Sequence, residues 1–205
     1  MNSISYYLKA VLITIFALTG CRGQTENKNK KEPLIQTSRE VVNAKPVRDN
    51  SFFEAALNGQ FVEIKKLLEN GTDVNLKDQE GRTALMYAAF NGHTVIMEKL
   101  LEKGASVNLR DAYGRTALML ASSGPFPAAV KLLLDHRADP DMADGEEHFT
   151  ALMYAAAEGQ LEIVQLLLKN KANPTLKDVD GDNALTFAEK NGHKDIVILL
   201  KSYLQ

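Results

Sequence analysis

The sequence predicts an all-α fold, a solenoid of stacked helix-turn-helix units joined by β-turn fingers. Three observations carry this. The stretch "GRTALMYAA" at 81–89 returns as "GRTALMLAS" at 114–122 and as "FTALMYAAA" at 149–157. Its threonines Thr83, Thr116 and Thr150 stand 33 and 34 residues apart, a fixed period of the size that marks repeat architectures. The composition, with 45% hydrophobic and 24% charged residues and a net charge of -2, is that of an ordinary globular chain. One unit of this length cannot bury its own apolar face, so the copies must lean on one another and bury a continuous strip.

The first 20 residues stand outside the repeat. In "KAVLITIFALTGC", Lys9 precedes an apolar run from Ala10 to Leu18, and a small residue comes just before the only cysteine. That order describes an export signal, and the run is shorter than the ~20 apolar residues a membrane span needs. Leu18-Thr19-Gly20-Cys21 resembles the lipobox of bacterial lipoproteins. The resemblance implies cleavage before Cys21 and attachment of diacylglycerol and a further acyl chain to Cys21. Several chains, at about 0.8 kcal/mol per buried methylene, would hold the protein on a bilayer. Arg22 in place of Asp favours, by the same resemblance in proteobacteria, the outer membrane facing the periplasm. A single cysteine makes no internal disulfide, and a lipid thioether would cap the thiol. The alternative is an incidental cysteine in a cytosolic inhibitor. Residues 21–48 are polar and charged with two prolines, and read as a flexible lipid-attached tether with an average reach of about 30 Å.

The repeat domain is expected over 49–205, with an N-terminal cap at 45–77, internal repeats at 78–110, 111–143 and 144–177, and a C-terminal cap at 178–205. "DQEG", "DAYG" and "DVDG" are tight-turn signals at the head of the units. Thr follows at an N-cap position, where its hydroxyl can accept from an orphan amide of the first helix. "ALMYAAFNG" puts small residues on the face that must approach a neighbour and stops at Asn91-Gly92. The second helices, "VIMEKLL", "AAVKLLL", "EIVQLLL" and "DIVILL", carry aliphatic residues at helical spacing.

This pattern resembles the ankyrin repeat, "D-x-x-G-x-T-A-L-x-x-A-A-x-x-G-x-x-x-I-V-x-L-L-L-x-x-G-A-x-x-N", over residues 45–205. The departures are informative. "DGEEHF" carries one extra residue, so the finger of the fourth unit is expected to differ in shape. In "SGPFPAA", Pro127 suits a helix start. Arg137 and Lys171 stand where Gly104 ends the equivalent helix; a left-handed backbone there would cost about 1 kcal/mol each.

No metal-binding His or Cys cluster, phosphate loop or nucleophile motif is visible, no cofactor is expected, and the chain does not read as an enzyme. Residues 22–49 hold seven Lys/Arg against four Asp/Glu, and 50–205 hold 16 against 22, so the domain is acidic and nucleic acid is not expected as a partner. Met86, Met119 and Met153 share one repeat position. Packing is the expected role, with soft-metal (copper) capture as the alternative. His93 and His193 also share a position and read as structural, hydrogen-bonding between turns.

The resemblance implies a groove of turn tips and first-helix faces that binds an unidentified partner protein. The matching positions are Gln79, Glu80, Arg82, Phe90 and Asn91; Ala112, Tyr113, Arg115 and Ser123; Glu146, Glu147, Phe149 and Glu158; and Val179, Asp180 and Asp182. Phe90, Tyr113 and Phe149, with Arg82 and Arg115 beside them, have the composition of an interface hot spot. The bland alternative is that Phe90 folds onto its own helix pair and Tyr113 packs on the next finger.

Overall fold

The computed structural model describes residues 50–204. The expected signal segment at 1–20, Cys21 and the tether at 21–48 lie outside the described residues. The repeats fall in one compact unit, Arg48–Gln205.

Five helix pairs follow one another: α1 (Ser51–Leu57) and α2 (Phe61–Glu69), α3 (Ala84–Phe90) and α4 (Thr94–Glu102), α5 (Ala117–Ser122) and α6 (Pro127–Asp135), α7 (Ala151–Ala157) and α8 (Leu161–Lys169), α9 (Ala184–Asn191) and α10 (Lys194–Tyr203). Among the described residues there are ten helices and no strand beyond an isolated bridge between Ala143 and Thr150. Each first helix packs on the first helices beside it, and each second helix on the second helices beside it, giving two layers. This is the all-α solenoid that the period predicts.

The caps explain why the short first helices start where they do. Thr83, Thr116 and Thr150 accept from the amides of Met86, Met119 and Met153, each at 3.4 Å. In the fifth unit Asn183 takes the place of threonine and accepts from the Thr186 amide at 3.1 Å. Such a cap contributes about 1 kcal/mol. The alanines of these helices, among them Ala88, Ala121, Ala155 and Ala188, are almost wholly buried, so the backbones can come close. The outer layer is held by a row of leucines at one repeat position. Leu100, Leu133, Leu167 and Leu200 are fully buried, while Leu67 in the first unit is half-buried.

The loop between the two helices of a unit is closed by a ring from the next unit. Nε2 of His93 lies 3.0 Å from the Leu57 carbonyl, and Nε2 of His193 lies 3.0 Å from the Ala157 carbonyl. Both histidines therefore hydrogen-bond between units, as the shared position predicts. The His193 ring lies flat over Gly159, where a Cβ would sit only 2.6 Å away. In the third unit Phe126 replaces the histidine and covers Gly92 in the same way, and Pro127 starts α6 as expected.

Arg137 and Lys171 do sit in the left-handed region, at φ 66° and 68°, where Gly104 has φ 88°. Replacing either by glycine is expected to raise stability by about 0.5–1 kcal/mol, the relief of ~1–2 kcal/mol of strain minus the extra chain entropy of glycine. Urea melts check this, and an unchanged or lower midpoint for both variants contradicts it.

Candidate functional site

The fingers are built around the aspartate that heads each unit. The Asp78 carboxylate accepts from the amides of Glu80 and Arg82 at 2.8 and 2.9 Å, closing the turn from inside. Asp111 does the same for Tyr113 and Arg115, and Asp178 for Asp180 and Asp182. In the fourth unit the extra residue shifts the contacts to Glu147 and Phe149, at 3.1 and 3.2 Å, and His148 takes φ 60°. That finger differs in shape, as its insertion predicts.

The second carboxylate oxygen locks the finger to its helix. Tyr87 donates to Asp78 at 2.6 Å and Tyr154 to Asp144 at 2.9 Å. Burial and the bond to Asp78 push the Tyr87 hydroxyl up to about 12, and burial with the Asp144 charge drives Tyr154 upward as well. Leu120 occupies this place in the third unit and has no hydroxyl to give. There Arg115 turns inward and donates from Nε and Nη2 to the same Asp111 oxygen, at 2.9 and 2.8 Å. The signal for these locks was present as a tyrosine in "ALMY" of the second and fourth units and a leucine in "ALML" of the third.

Neighbouring fingers are stitched by backbone bonds. Ala112 donates to the Glu80 carbonyl at 2.8 Å, Gly145 to Tyr113 at 2.8 Å, and Val179 to Glu147 at 3.1 Å. The tips therefore form one continuous row.

The structure places the expected contact residues unequally along this row. Gln79, Ala112, Tyr113, Glu146, Val179 and Asp180 are exposed at the tips, and Glu158 is exposed at the end of α7. Glu80 and Glu147 are half-buried beside them. Two residues must be corrected. Arg82 and Arg115 are buried, at 3% and 5% exposure, because each guanidinium is drawn toward carboxylates inside the finger row. Arg82 pairs with Glu80 at 2.5 Å and lies 4.0 Å from Asp111. Neither presents its charge to a partner.

Several others are partly committed within the domain. Phe149 is half-buried, edge-on to Tyr154 and Phe187 with ring centroids 5.7 and 5.2 Å away, so it joins the fourth unit to the fifth. Phe90 is half-buried. Asn91 donates to the Leu57 carbonyl at 2.6 Å, and Ser123 to the Leu120 carbonyl at 2.8 Å. Asp182 pairs with Lys190. Of the three aromatics expected at a hot spot, Tyr113 alone stands well out, at 40% exposure, with the Arg115 guanidinium 4.8 Å from its ring centre.

The methionine row faces inward. Met86, Met119 and Met153 are at most 2% exposed, and the sulfurs of Met119 and Met153 lie 3.5 Å from the Thr116 and Thr150 amides. They back the threonine caps and do not meet solvent, which removes the geometry that soft-metal capture requires. Among the described residues no group of three His, Cys, Asp or Glu side chains could hold a metal ion. No helix of the described residues is long and apolar enough to cross a membrane.

Comparison with known proteins agrees with this geometry. The chain is 46% identical over 50 residues to Ankyrin repeat family A protein 2 of Mus musculus, a match covering 24% of this chain and 16% of that protein. It is 45% identical over 56 residues to Notch-regulated ankyrin repeat-containing protein B of Danio rerio, covering 27% of this chain and 50% of that one. The chain thus spans half or less of the length of these relatives. The model of the ankyrin repeats family (three copies) matches residues 52–144 and 123–204. Ankyrin repeats are protein–protein interaction modules, generally without catalysis, and this chain belongs to the ankyrin repeat family.

Proposed function

We propose that this protein binds a partner protein non-covalently through its finger row and performs no chemistry of its own. The observation that carries the reading is the division of labour in the repeats. The first helices are largely consumed by packing, whereas the stitched tips leave Gln79, Tyr113, Glu146, Val179 and Asp180 exposed and different in every unit. A rigid row of unlike side chains is a surface for specificity, since pre-organised residues lose little entropy on binding.

We further propose that the protein works at the bacterial cell envelope, anchored by lipid on Cys21, with the outer membrane facing the periplasm as its site. The support is the sequence alone: Lys9 to Cys21 for the lipid anchor, and Arg22 for the choice of membrane. The matched relatives are animal proteins that align with about a quarter of this chain, so they bear on binding mode rather than on location.

One experiment tests both parts. Cells expressing wild type, Cys21→Ala or Tyr113→Ala are labelled with a palmitate analogue, crosslinked, and the protein is recovered from membranes. Label should be present on wild type and absent from Cys21→Ala. A captured protein should be depleted at least about tenfold in Tyr113→Ala, the loss of roughly 1.4 kcal/mol that a hot-spot aromatic exceeds. Label surviving in Cys21→Ala contradicts the anchor, and undiminished capture by Tyr113→Ala moves the interface off the fingers.

A further inference from the structure

Building on that reading, we infer that the fingers of the third to fifth units receive a basic, extended segment of the partner protein, with Tyr113 and Val179 as apolar footholds and Glu146, Glu147 and Asp180 as counter-charges. Tyr113 and Val179 are 40% and 54% exposed. They are linked across the fourth finger, since Gly145 donates to Tyr113 and Val179 donates to Glu147. The Tyr113 ring is held in place by a guanidinium that is itself pinned through two donors to Asp111. A fixed ring of this kind accepts the aliphatic stem of a lysine or arginine at small entropic cost.

The charge around these footholds selects the sign of the partner. Several acids on the second helices are matched by their neighbours, as in Lys65 with Glu69, Lys66 with Glu63, Lys99 with Glu102 and Lys131 with Asp135. Among the described residues no lysine or arginine pairs in this way with Glu146, Glu147 or Asp180. These three carboxylates are therefore left without an ion-pair partner on the fingers. A second apolar stripe, Val62 and Val95 on the outer layer, is also exposed, at 79% and 59%. Among the described residues every glutamate of α2 and α4 except Glu98 is paired with a lysine, so this stripe offers one unpaired carboxylate against three on the fingers.

The test uses the full chain and a fluorescent peptide of alternating lysine and leucine, with a glutamate-for-lysine peptide as its counterpart. Anisotropy should show binding of the first and not of the second, weakening by about tenfold or more between low and high salt, because exposed pairs are screened. The Glu146→Gln, Glu147→Gln, Asp180→Asn variant should weaken binding at least about tenfold. Tyr113→Ala should weaken it with the salt dependence retained. Glu63→Gln with Glu69→Gln on the outer layer should stay within about twofold. Equal binding by the charge-neutral variant, or equal binding of the acidic peptide, overturns the inference. If the membrane partner is lost from Tyr113→Ala but captured normally by the charge-neutral variant, the basic-segment inference fails while the finger reading stands. Loss of neither sinks both.

Discussion

Leu133→Ala is expected to destabilise the repeat domain by about 2–5 kcal/mol, the cost of a cavity in a core that cannot collapse fully. Leu133 is fully buried on α6, and α6 packs between α4 and α8. Its equivalents Leu100 and Leu167 are fully buried on those two helices, so the deleted methyl groups leave a gap bounded on both sides. Small domains have only about 5–15 kcal/mol in total, so the loss is a large fraction. In a repeat array it falls on two interfaces at once, so the units on both sides of the third should lose protection. Urea melts and hydrogen exchange check this. A loss below about 1 kcal/mol would mean that the leucine row is not the centre of the outer layer.

Gly114→Ala is expected to cost about 2–5 kcal/mol, from ~1–2 of left-handed strain and ~1–3 of overpacking. Gly114 has φ 76°, and a Cβ there would lie 2.4 Å from the Gly145 amide nitrogen. That amide donates to Tyr113, so the added methyl group forces the third and fourth fingers apart at their stitch. Two glycines at the same turn position provide a graded comparison. At Gly81 the Cβ would meet the Ala112 nitrogen at 3.1 Å, and at Gly181 it would meet nothing within 4 Å. All three have positive φ, so strain is shared and only contact differs. The expected order of loss is Gly114, then Gly81, then Gly181. Equal losses in the three alanine variants would mean that the fingers part freely and that the tip row is not rigid.

The fold was open to reading because it rests on local, repeated chemistry. Thr83, Thr116 and Thr150 announce their helices by position, and the left-handed backbone at Arg137 and Lys171 follows from aligning them with Gly104. The site was less legible because exposure of a long polar side chain depends on partners elsewhere in the chain. Arg115 is internal because Asp111 has an oxygen to fill and Leu120 has no hydroxyl with which to fill it. Reading that from sequence requires seeing that Tyr87 and Tyr154 perform the task in other units. Phe149 was expected among the contact residues for a similar reason. The extra residue in its finger delays the turn by one position, so Phe149 closes the finger in the place that Arg82 and Arg115 hold elsewhere. Its ring then meets Phe187, which stands where Tyr87 and Tyr154 stand in other units.

The proposed interface runs along the fingers and not over the outer layer. The most direct test places a photo-crosslinking residue at Ala112, Glu146 or Val179, and in parallel at Val62, Val95 or Ile198, in cells that make the protein from its own full sequence. All six positions are exposed, so chance contact is comparable. One shared adduct of defined mass is expected from the finger positions and none of that mass from the outer-layer positions. An adduct formed mainly at Val62, Val95 or Ile198 would contradict it and make the outer layer the binding face.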